Sequence, residues 1–318
     1  MTVATSSSPD PVDADVREPA PAGAGAGAGA ESGAGVADYL TLVRPRLNVL
    51  TVFAVAAGWW AGAGSLGDPA VFLPAVLGAA FVAGGSSALN QAMEREFDAL
   101  MTRTADRPVP TGRLTPVRAA VFGAVLSCLG IALLATTTNV LTTGLALLCI
   151  VWYLVIYTPL KSRTSLNTLA GTIPGALPPL MGVAAATGEI GNTGWFLFAL
   201  VVVWQLPHFL SIAWIHRHDY KRAGMVMLPG IEGGPASTAR QVIVQTLLLV
   251  SISLAATPLG LAGRMYFVTA LVAGIAFLAA SVSFALQRSD PSARVLLRVS
   301  VLSLPAVLTA YALDPGVL

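Results

Sequence analysis

Apolar runs long enough to cross a bilayer recur along this chain from Leu47 almost to its end. Nine can be counted, at about residues 47–64, 70–91, 117–136, 139–158, 166–187, 194–214, 241–262, 266–286 and 295–313. A hydrocarbon core about 30 Å thick requires about 20 residues of helix, and only helices and closed barrels satisfy every backbone group there. With 55% hydrophobic and 11% charged residues, the sequence predicts an all-α, polytopic membrane protein with about nine transmembrane helices.

The basic residues give these spans an orientation. With nine spans, the N-terminal segment and the connections after the second, fourth, sixth and eighth runs share one side, and they hold all 18 Lys and Arg residues except Arg264. Basic residues collect in cytoplasmic segments. We therefore expect a multi-pass protein of the cell membrane with a cytoplasmic N-terminus and an outside C-terminus. The two longest connections, about 92–116 and 215–240, lie on the cytoplasmic side, where we expect the active site because long polar loops usually carry function.

The first 36 residues differ from the rest of the chain. They are rich in Ser, Pro and Asp, then in Ala and Gly, and nothing in them can bury a core. We expect residues 1–36 to form a disordered tail, not a signal peptide, because they are acidic and lack an apolar core. Residues 37–318 then form the intramembrane domain. The net charge of +2 predicts no nucleic-acid partner, and Cys128 and Cys149 lie in apolar runs, as packing cysteines do.

A polar stripe follows the second apolar run. Asn90, Glu94 and Asp98 are spaced four residues apart, which keeps them on one face of a helix with a drift of about 40° per step. Oxygen-bearing side chains at this place favour a hard divalent cation, and Arg103 and Arg107 follow within reach of an anion bridged to it. The pattern predicts a Mg²⁺–diphosphate site. The alternative is an ordinary solvated turn whose arginines only set the topology.

Two further windows on the same side hold candidate residues. Lys161 and Arg163 precede an apolar run rich in Gly and Pro, which is typical of a broken helix lining a cavity, although both could simply be topological charges. All 3 histidines fall in one later window, where Gln205 and His208 lie about one turn apart and favour an inward polar patch. Asp219 could complete a metal site from another helix end. Zinc is disfavoured because this window has no cysteine and no His-Glu-x-x-His pattern.

Together the windows resemble the UbiA-type intramembrane prenyltransferases, and within that family the haem-farnesylating branch. The resemblance covers about residues 38–313 and implies a UbiA-like helical bundle. The motifs that carry it are Asn90-x-x-x-Glu94-x-x-x-Asp98-x-x-Met101-x-Arg103-Thr104-x-x-Arg107-Pro108, Tyr157-Thr-Pro-Leu-Lys161, Gly175-Ala-x-Pro178-Pro179, and Trp204-Gln-x-Pro207-His208-Phe209 through Asp219-Tyr220-x-x-Ala223-Gly224 to Met227-Leu228-Pro229. The last window distinguishes the haem branch from the quinone-forming branches.

The resemblance implies that Mg²⁺ holds the diphosphate of farnesyl diphosphate while the farnesyl cation alkylates a vinyl group of protohaem IX (haem B), giving haem O. It implies metal-binding and catalytic roles for Asn90, Glu94, Asp98 and Asp219. It implies diphosphate contacts from Arg103, Arg107, Lys161 and Arg163. It implies haem contacts from Gln205, His208 and Tyr220. The implied partners are farnesyl diphosphate, protohaem IX, the lipid bilayer and a downstream haem A synthase.

Three positions depart from the family pattern. Glu94 stands where Asp is more frequent, His218 precedes Asp219 where a second acidic residue is common, and one residue separates Lys161 from Arg163. The geometry at Glu94, the second metal position and the role of Arg163 therefore stay open.

Two rival functions stay open as well. One is prenylation of a quinone precursor or another aromatic acceptor, and the other is transport. Transporters often pair broken helices at the midplane, whereas the candidate residues here lie in two unequal loops at one face.

Overall fold

A computed structural model of the chain describes residues 34–314. Within this range the backbone forms helices and no β-strand, which confirms the predicted all-α fold. The tail predicted for residues 1–36 lies outside the described residues except for its last three, of which Val36 begins the first helix.

The described residues form helices of very unequal length. The α-helices are α1 (Val36–Val43), α2 (Pro45–Ala63), α3 (Pro69–Met93), α4 (Arg95–Ala99), α5 (Pro116–Thr137), α6 (Val140–Val151), α7 (Thr158–Leu160), α8 (Asn167–Thr187), α9 (Gly191–Ile215), α10 (Arg217–Arg222), α11 (Gly234–Ala255), α12 (Arg264–Gln287) and α13 (Asp290–Leu313). One stretch of π-helix, Trp152–Tyr157, joins α6 to α7, and a 3₁₀ turn covers Leu228–Gly230.

These helices match the predicted spans closely. Among residues 34–314, 8 helices are long and apolar enough to cross a membrane, counting Val140–Leu160 as one, and the pair α1–α2, bent by 47°, would be the ninth. The chain is therefore a multi-pass membrane protein. One boundary is shifted: the run predicted at 241–262 corresponds to α11, which begins at Gly234, with Pro235 in its first turn. Proline suits the first turn, where its missing N–H costs nothing.

Small residues bring the spanning helices close together. A β-carbon on Gly85 of α3 would lie 2.6 Å from the carbonyl oxygen of Gly123 on α5. A β-carbon on Gly58 of α2 would collide with the carbonyl oxygen of Pro179 on α8. Close backbone approach at small residues is the usual basis of helix packing in membranes, where apolar burial alone gives little drive.

Three polar connections meet at one end of this bundle. The backbone N–H of Val226 donates to the carbonyl of Lys161 at 2.8 Å, and the Asn167 amide donates to the carbonyl of Val226 at 2.8 Å. The Thr102 hydroxyl accepts from Arg222 at 3.0 Å. The connections after α3, α7 and α9 therefore form one layer over the bundle end.

Candidate active site

The predicted stripe lies where α3 gives way to α4. The helix bends at Glu94, yet the backbone N–H of Glu94 still donates to the Asn90 carbonyl at 2.9 Å, and that of Asp98 to the Glu94 carbonyl at 2.8 Å. The three side chains therefore keep a common face. Asn90 and Asp98 are 1% exposed and Glu94 is 6% exposed. This burial rules out the alternative of a solvated turn.

Both buried carboxylates are paired with cations. The Lys161 ammonium donates to the two oxygens of Glu94 at 2.9 and 3.1 Å. The Arg107 guanidinium donates to Asp98 at 2.6 Å. Beside them the Asn90 amide donates to a hydroxyl on α7 at 3.0 Å. Buried charges of this kind persist only when they are paired and hydrogen-bonded.

The electrostatic surroundings of the two cations differ. Burial lowers the pKa of Lys161, but the neighbouring Tyr157 and Glu94 outweigh burial and hold the pKa above its ordinary value. Burial and the nearby Arg44 lower the pKa of the Arg107 guanidinium. Both side chains are cationic at neutral pH, since arginine stays protonated in proteins. Two cations that line the same cavity favour a multivalent anion as ligand.

These side chains line one cavity of about 370 Å³. Its basic residues are Arg44, Arg103, Arg107 and Lys161, and its acidic residues are Glu94 and Asp98. Four cations against two anions leave the wall positive by two charges. Its neutral residues are Asn90, Met101, Tyr157, Tyr220, Met225 and Met227. We call this space the polar cavity.

The second acidic window contributes a tyrosine to this cavity. The Arg103 guanidinium donates to the Tyr220 hydroxyl at 2.9 Å and lies 5.0 Å from the centre of the same ring. Asp219 does not line the cavity: its carboxylate accepts from the backbone N–H of Thr102 at 3.4 Å and lies 3.5 Å from Arg222. Asp219 thus holds the two loops together, and its predicted metal role stays a prediction.

Three other predicted residues lie apart from the polar cavity. The Gln205 amide donates to the Thr172 carbonyl of α8 at 3.0 Å, and the His208 ring is 2.8 Å from the hydroxyl of Ser300 on α13. Arg163 is exposed and forms no ion pair with a described residue. Their predicted contacts with substrate are untested by this geometry and stay predictions.

An apolar chamber adjoins the polar cavity. It occupies about 310 Å³ and is lined by Tyr157, Asn167, Thr168, Phe209, Ile212, Ala213, Tyr220 and Met227. Tyr157, Tyr220 and Met227 line both spaces. Gly171 makes room for one of these walls, because a β-carbon there would lie 2.7 Å from the Tyr157 ring. The charged cavity and the largely aromatic and aliphatic chamber thus share one wall.

Sequence reasoning treated Arg44 only as a topological charge, and it gave Tyr157 no role in the site. Arg44 sits at the break between α1 and α2 with a left-handed φ of 49°. The signal that could have identified it is Pro45, which breaks the first span and turns the neighbouring arginine away from helical register. Tyr157 is the last residue of the π-helical stretch, a feature frequent at functional sites.

The site can now be compared with known proteins. Residues 51–303 match the UbiA prenyltransferase family. The chain belongs to that family. A relative named protoheme IX farnesyltransferase from Solibacter usitatus is 41% identical over 289 residues, covering 88% of this chain and 99% of the relative. One of the same name from Salinibacter ruber is 42% identical over 277 residues, covering 87% and 98%. The resemblance predicted from the sequence is confirmed.

Solved structures of other proteins share the fold. A structure described as a digeranylgeranylglyceryl phosphate synthase superimposes with a TM-score of 0.73 at 18% identity, covering 87% of this chain and 97% of the other. A UbiA homolog from Archaeoglobus fulgidus, solved bound to DMAPP and Mg²⁺, gives a TM-score of 0.66 at 16% identity over 85% and 99% of the two chains. At these identities the likeness establishes the helical bundle.

Proposed function

We propose that this UbiA-family enzyme transfers the farnesyl group of farnesyl diphosphate to a vinyl group of protohaem IX, giving haem O. The observation that carries the proposal is the polar cavity, positive by two charges, which shares three wall residues with an apolar chamber. An amphiphile with an anionic head and an isoprenoid tail matches this pair of spaces. The relatives at 41% and 42% identity, both named protoheme IX farnesyltransferase, support haem as the acceptor.

The residues of the polar cavity fit Mg²⁺. Mg²⁺ usually binds through one or two carboxylates together with substrate phosphates, and keeps oxygen ligands only. Glu94 and Asp98 provide two carboxylates and Asn90 an amide oxygen on one wall. Among residues 34–314 no group of three or more His, Cys, Asp or Glu side chains could hold a metal ion, so a metal in this cavity would need further ligands from the substrate. Bound Mg²⁺ would neutralise the charge that develops on the leaving diphosphate.

The basic side chains stabilise the rest of the negative charge on the leaving diphosphate. As the bond between farnesyl carbon and diphosphate oxygen breaks, negative charge grows on the diphosphate, and preorganised Arg and Lys groups stabilise it most when water is excluded. Arg103 and Arg44 form no ion pair with a described residue and are available for this role. Lys161 and Arg107 already face the two carboxylates. They would turn to the diphosphate when the carboxylates hold the metal.

Aromatic walls suit the allylic cation and its tail. Tyr157 and Tyr220 line both the polar cavity and the apolar chamber, and an aromatic face attracts a nearby cation. Phe209 and Ile212 on α9 offer apolar surface to the isoprenoid chain. The farnesyl cation then forms a carbon–carbon bond to the vinyl group, and water adds to the resulting haem cation with release of a proton. A dry chamber protects the first cation from the same water.

We propose that Gln205, His208 and Tyr220 contact the haem, because they belong to the sequence window that distinguishes the haem branch of the family. Tyr220 already faces the polar cavity. The His208 ring stacks on Trp204 at 4.7 Å between centres.

We propose that the N-terminus and the active site lie on the cytoplasmic side of the cell membrane, because the basic loops collect there. We also expect a haem A synthase to consume the product.

The test is pigment analysis of membranes that express this chain in a host unable to farnesylate haem. We expect a haem species heavier than haem B by one farnesyl group and one water. Unchanged haem B beside a prenylated quinone precursor would favour the rival acceptor. No prenylated product at all, from a folded chain supplied with both substrates, would remove the enzyme function and leave transport open.

A further inference from the structure

A second concave surface lies outside the polar cavity, where α1 meets α2. We call it the arginine groove, and it is lined by Leu40, Thr41, Arg44, Pro45, Arg46, Leu47 and Arg107. Three of these seven residues are arginines and none is acidic. The groove is therefore an anion-attracting surface at the end of the first span.

The groove and the polar cavity share a wall. Arg44 and Arg107 line both spaces. The 47° bend between α1 and α2 falls at Arg44, whose left-handed backbone places it at the boundary. Arg107 reaches inward to Asp98 at 2.6 Å. An anion bound in the groove therefore contacts two guanidinium groups that also line the cavity.

The groove also has an apolar side. Leu40 is 57% exposed and Leu47 is 65% exposed, one on each side of the bend. Within residues 34–314, neither Arg44 nor Arg46 forms an ion pair. Unpaired guanidinium groups between exposed leucines at a membrane surface complement a molecule with a charged head and an aliphatic tail.

We propose that the arginine groove is the port through which farnesyl diphosphate passes from the bilayer surface into the polar cavity. Arg46 receives the diphosphate first and Arg44 and Arg107 pass it inward, so Arg46 is a positioning residue that touches the substrate before the reaction. The proposal rests on the proposed function. The simpler explanation is that Arg46 only sets topology, as juxtamembrane arginines often do.

The test measures how fast a substrate analogue associates. Wild type and the Arg46→Gln variant are reconstituted in neutral phosphatidylcholine vesicles, and binding of farnesyl thiodiphosphate is followed by stopped-flow fluorescence. A charge that steers entry acts chiefly on association and on its salt dependence. We expect the association rate constant to fall about threefold or more in low salt, with an equal or smaller fall in the dissociation rate constant and an unchanged kcat at saturating farnesyl diphosphate.

Two control variants frame this result. Arg240→Gln removes an exposed arginine from the same predicted side, on α11, that lines neither the groove nor the polar cavity, and should leave association unchanged. Arg46→Lys keeps the charge and should restore most of the rate. Equal association rates for wild type and Arg46→Gln would overturn the proposal that the groove is the entry port.

A lipid site would give a different pattern. If the groove binds a phospholipid headgroup instead, adding phosphatidylglycerol would alter the activity of wild type but not of Arg46→Gln. In neutral vesicles the two proteins would then have the same association rate constant for farnesyl thiodiphosphate. This result also overturns the proposal. Failure of the proposed function is recognised separately, because wild type would then form no farnesylated haem in any vesicle.

Discussion

The buried pair of Glu94 and Lys161 allows stability and catalysis to be separated. At 2.9 Å the attraction between the two charges is about 6 kcal/mol for an effective dielectric constant of about 20. Glu94→Gln removes it and leaves the Lys161 ammonium buried without a counter-charge. Breaking a buried pair from one side typically costs about 3–5 kcal/mol. We therefore expect the Glu94→Gln variant to unfold at a clearly lower temperature in detergent.

Adding Lys161→Met to Glu94→Gln should recover most of this loss. The double variant has no unpaired buried charge, and replacing a buried ion pair by neutral groups is often close to neutral for stability. Activity should not return. If Glu94 holds the metal and Lys161 the diphosphate, turnover stays at least about 100-fold below wild type.

The assay is a double-mutant cycle measured twice, once by thermal unfolding and once by farnesyl transfer at saturating substrates. Neighbours raise the pKa of Lys161, so the stability from its charge is fully present below its ordinary pKa of about 10.4 and is lost only as pH rises through the raised value. Between neutral pH and about pH 10 the stability difference between wild type and double variant should thus stay constant. A double variant with wild-type turnover would refute the reasoning, because the pair would then be structural alone.

Other predictions follow from single positions. Asp98→Asn should lower turnover by about 100-fold or more and abolish its response to Mg²⁺ chelation and re-addition, whereas Asp219→Asn should cost less because Asp219 lies outside the cavity wall; equal losses would contradict this order. Phe209→Ala enlarges the apolar chamber and should shift the ratio of kcat/KM toward geranylgeranyl diphosphate by about tenfold, and no shift in competition assays would place the tail elsewhere. Gly58→Ala collides with the Pro179 carbonyl and should reduce the free energy of unfolding by about 1–3 kcal/mol; an unchanged melting temperature would contradict the close packing.

Most of the fold could be predicted because lipid leaves few choices. A run of about 20 apolar residues in a bilayer must be helical, so the number of spans follows from hydropathy. Helix α11 shows where this reasoning ends. Its first turns contain Ser237, Thr238 and Arg240, and hydropathy leaves these polar residues out of the predicted span. Thr238 is nevertheless completely buried, and its hydroxyl donates to the Gly234 carbonyl at 2.7 Å. Polar residues satisfied inside a helix cannot be recognised by composition.

The site was predictable where its residues are close in sequence. Asn90, Glu94 and Asp98 follow one helical face, so their spacing alone brings them together. The partner of Glu94 is Lys161, 67 positions away, and no local pattern identifies such a pair. Gln205 shows a second long-range case. Its spacing to His208 predicted an inward-facing polar patch, but not that the amide donates to the Thr172 carbonyl of α8; the haem contact implied by the resemblance stays a prediction.

Purified protein in vesicles, supplied with Mg²⁺, farnesyl diphosphate and equal amounts of protohaem IX and a hydroxybenzoate acceptor, tests the central claim most directly. Mass spectrometry of both acceptors reports which one is alkylated. The account predicts farnesylated, hydrated haem from wild type, unmodified hydroxybenzoate, and neither product from the Asp98→Asn variant. Farnesyl transfer to the hydroxybenzoate with unchanged haem, or haem farnesylation that survives Asp98→Asn at the wild-type rate, would contradict it.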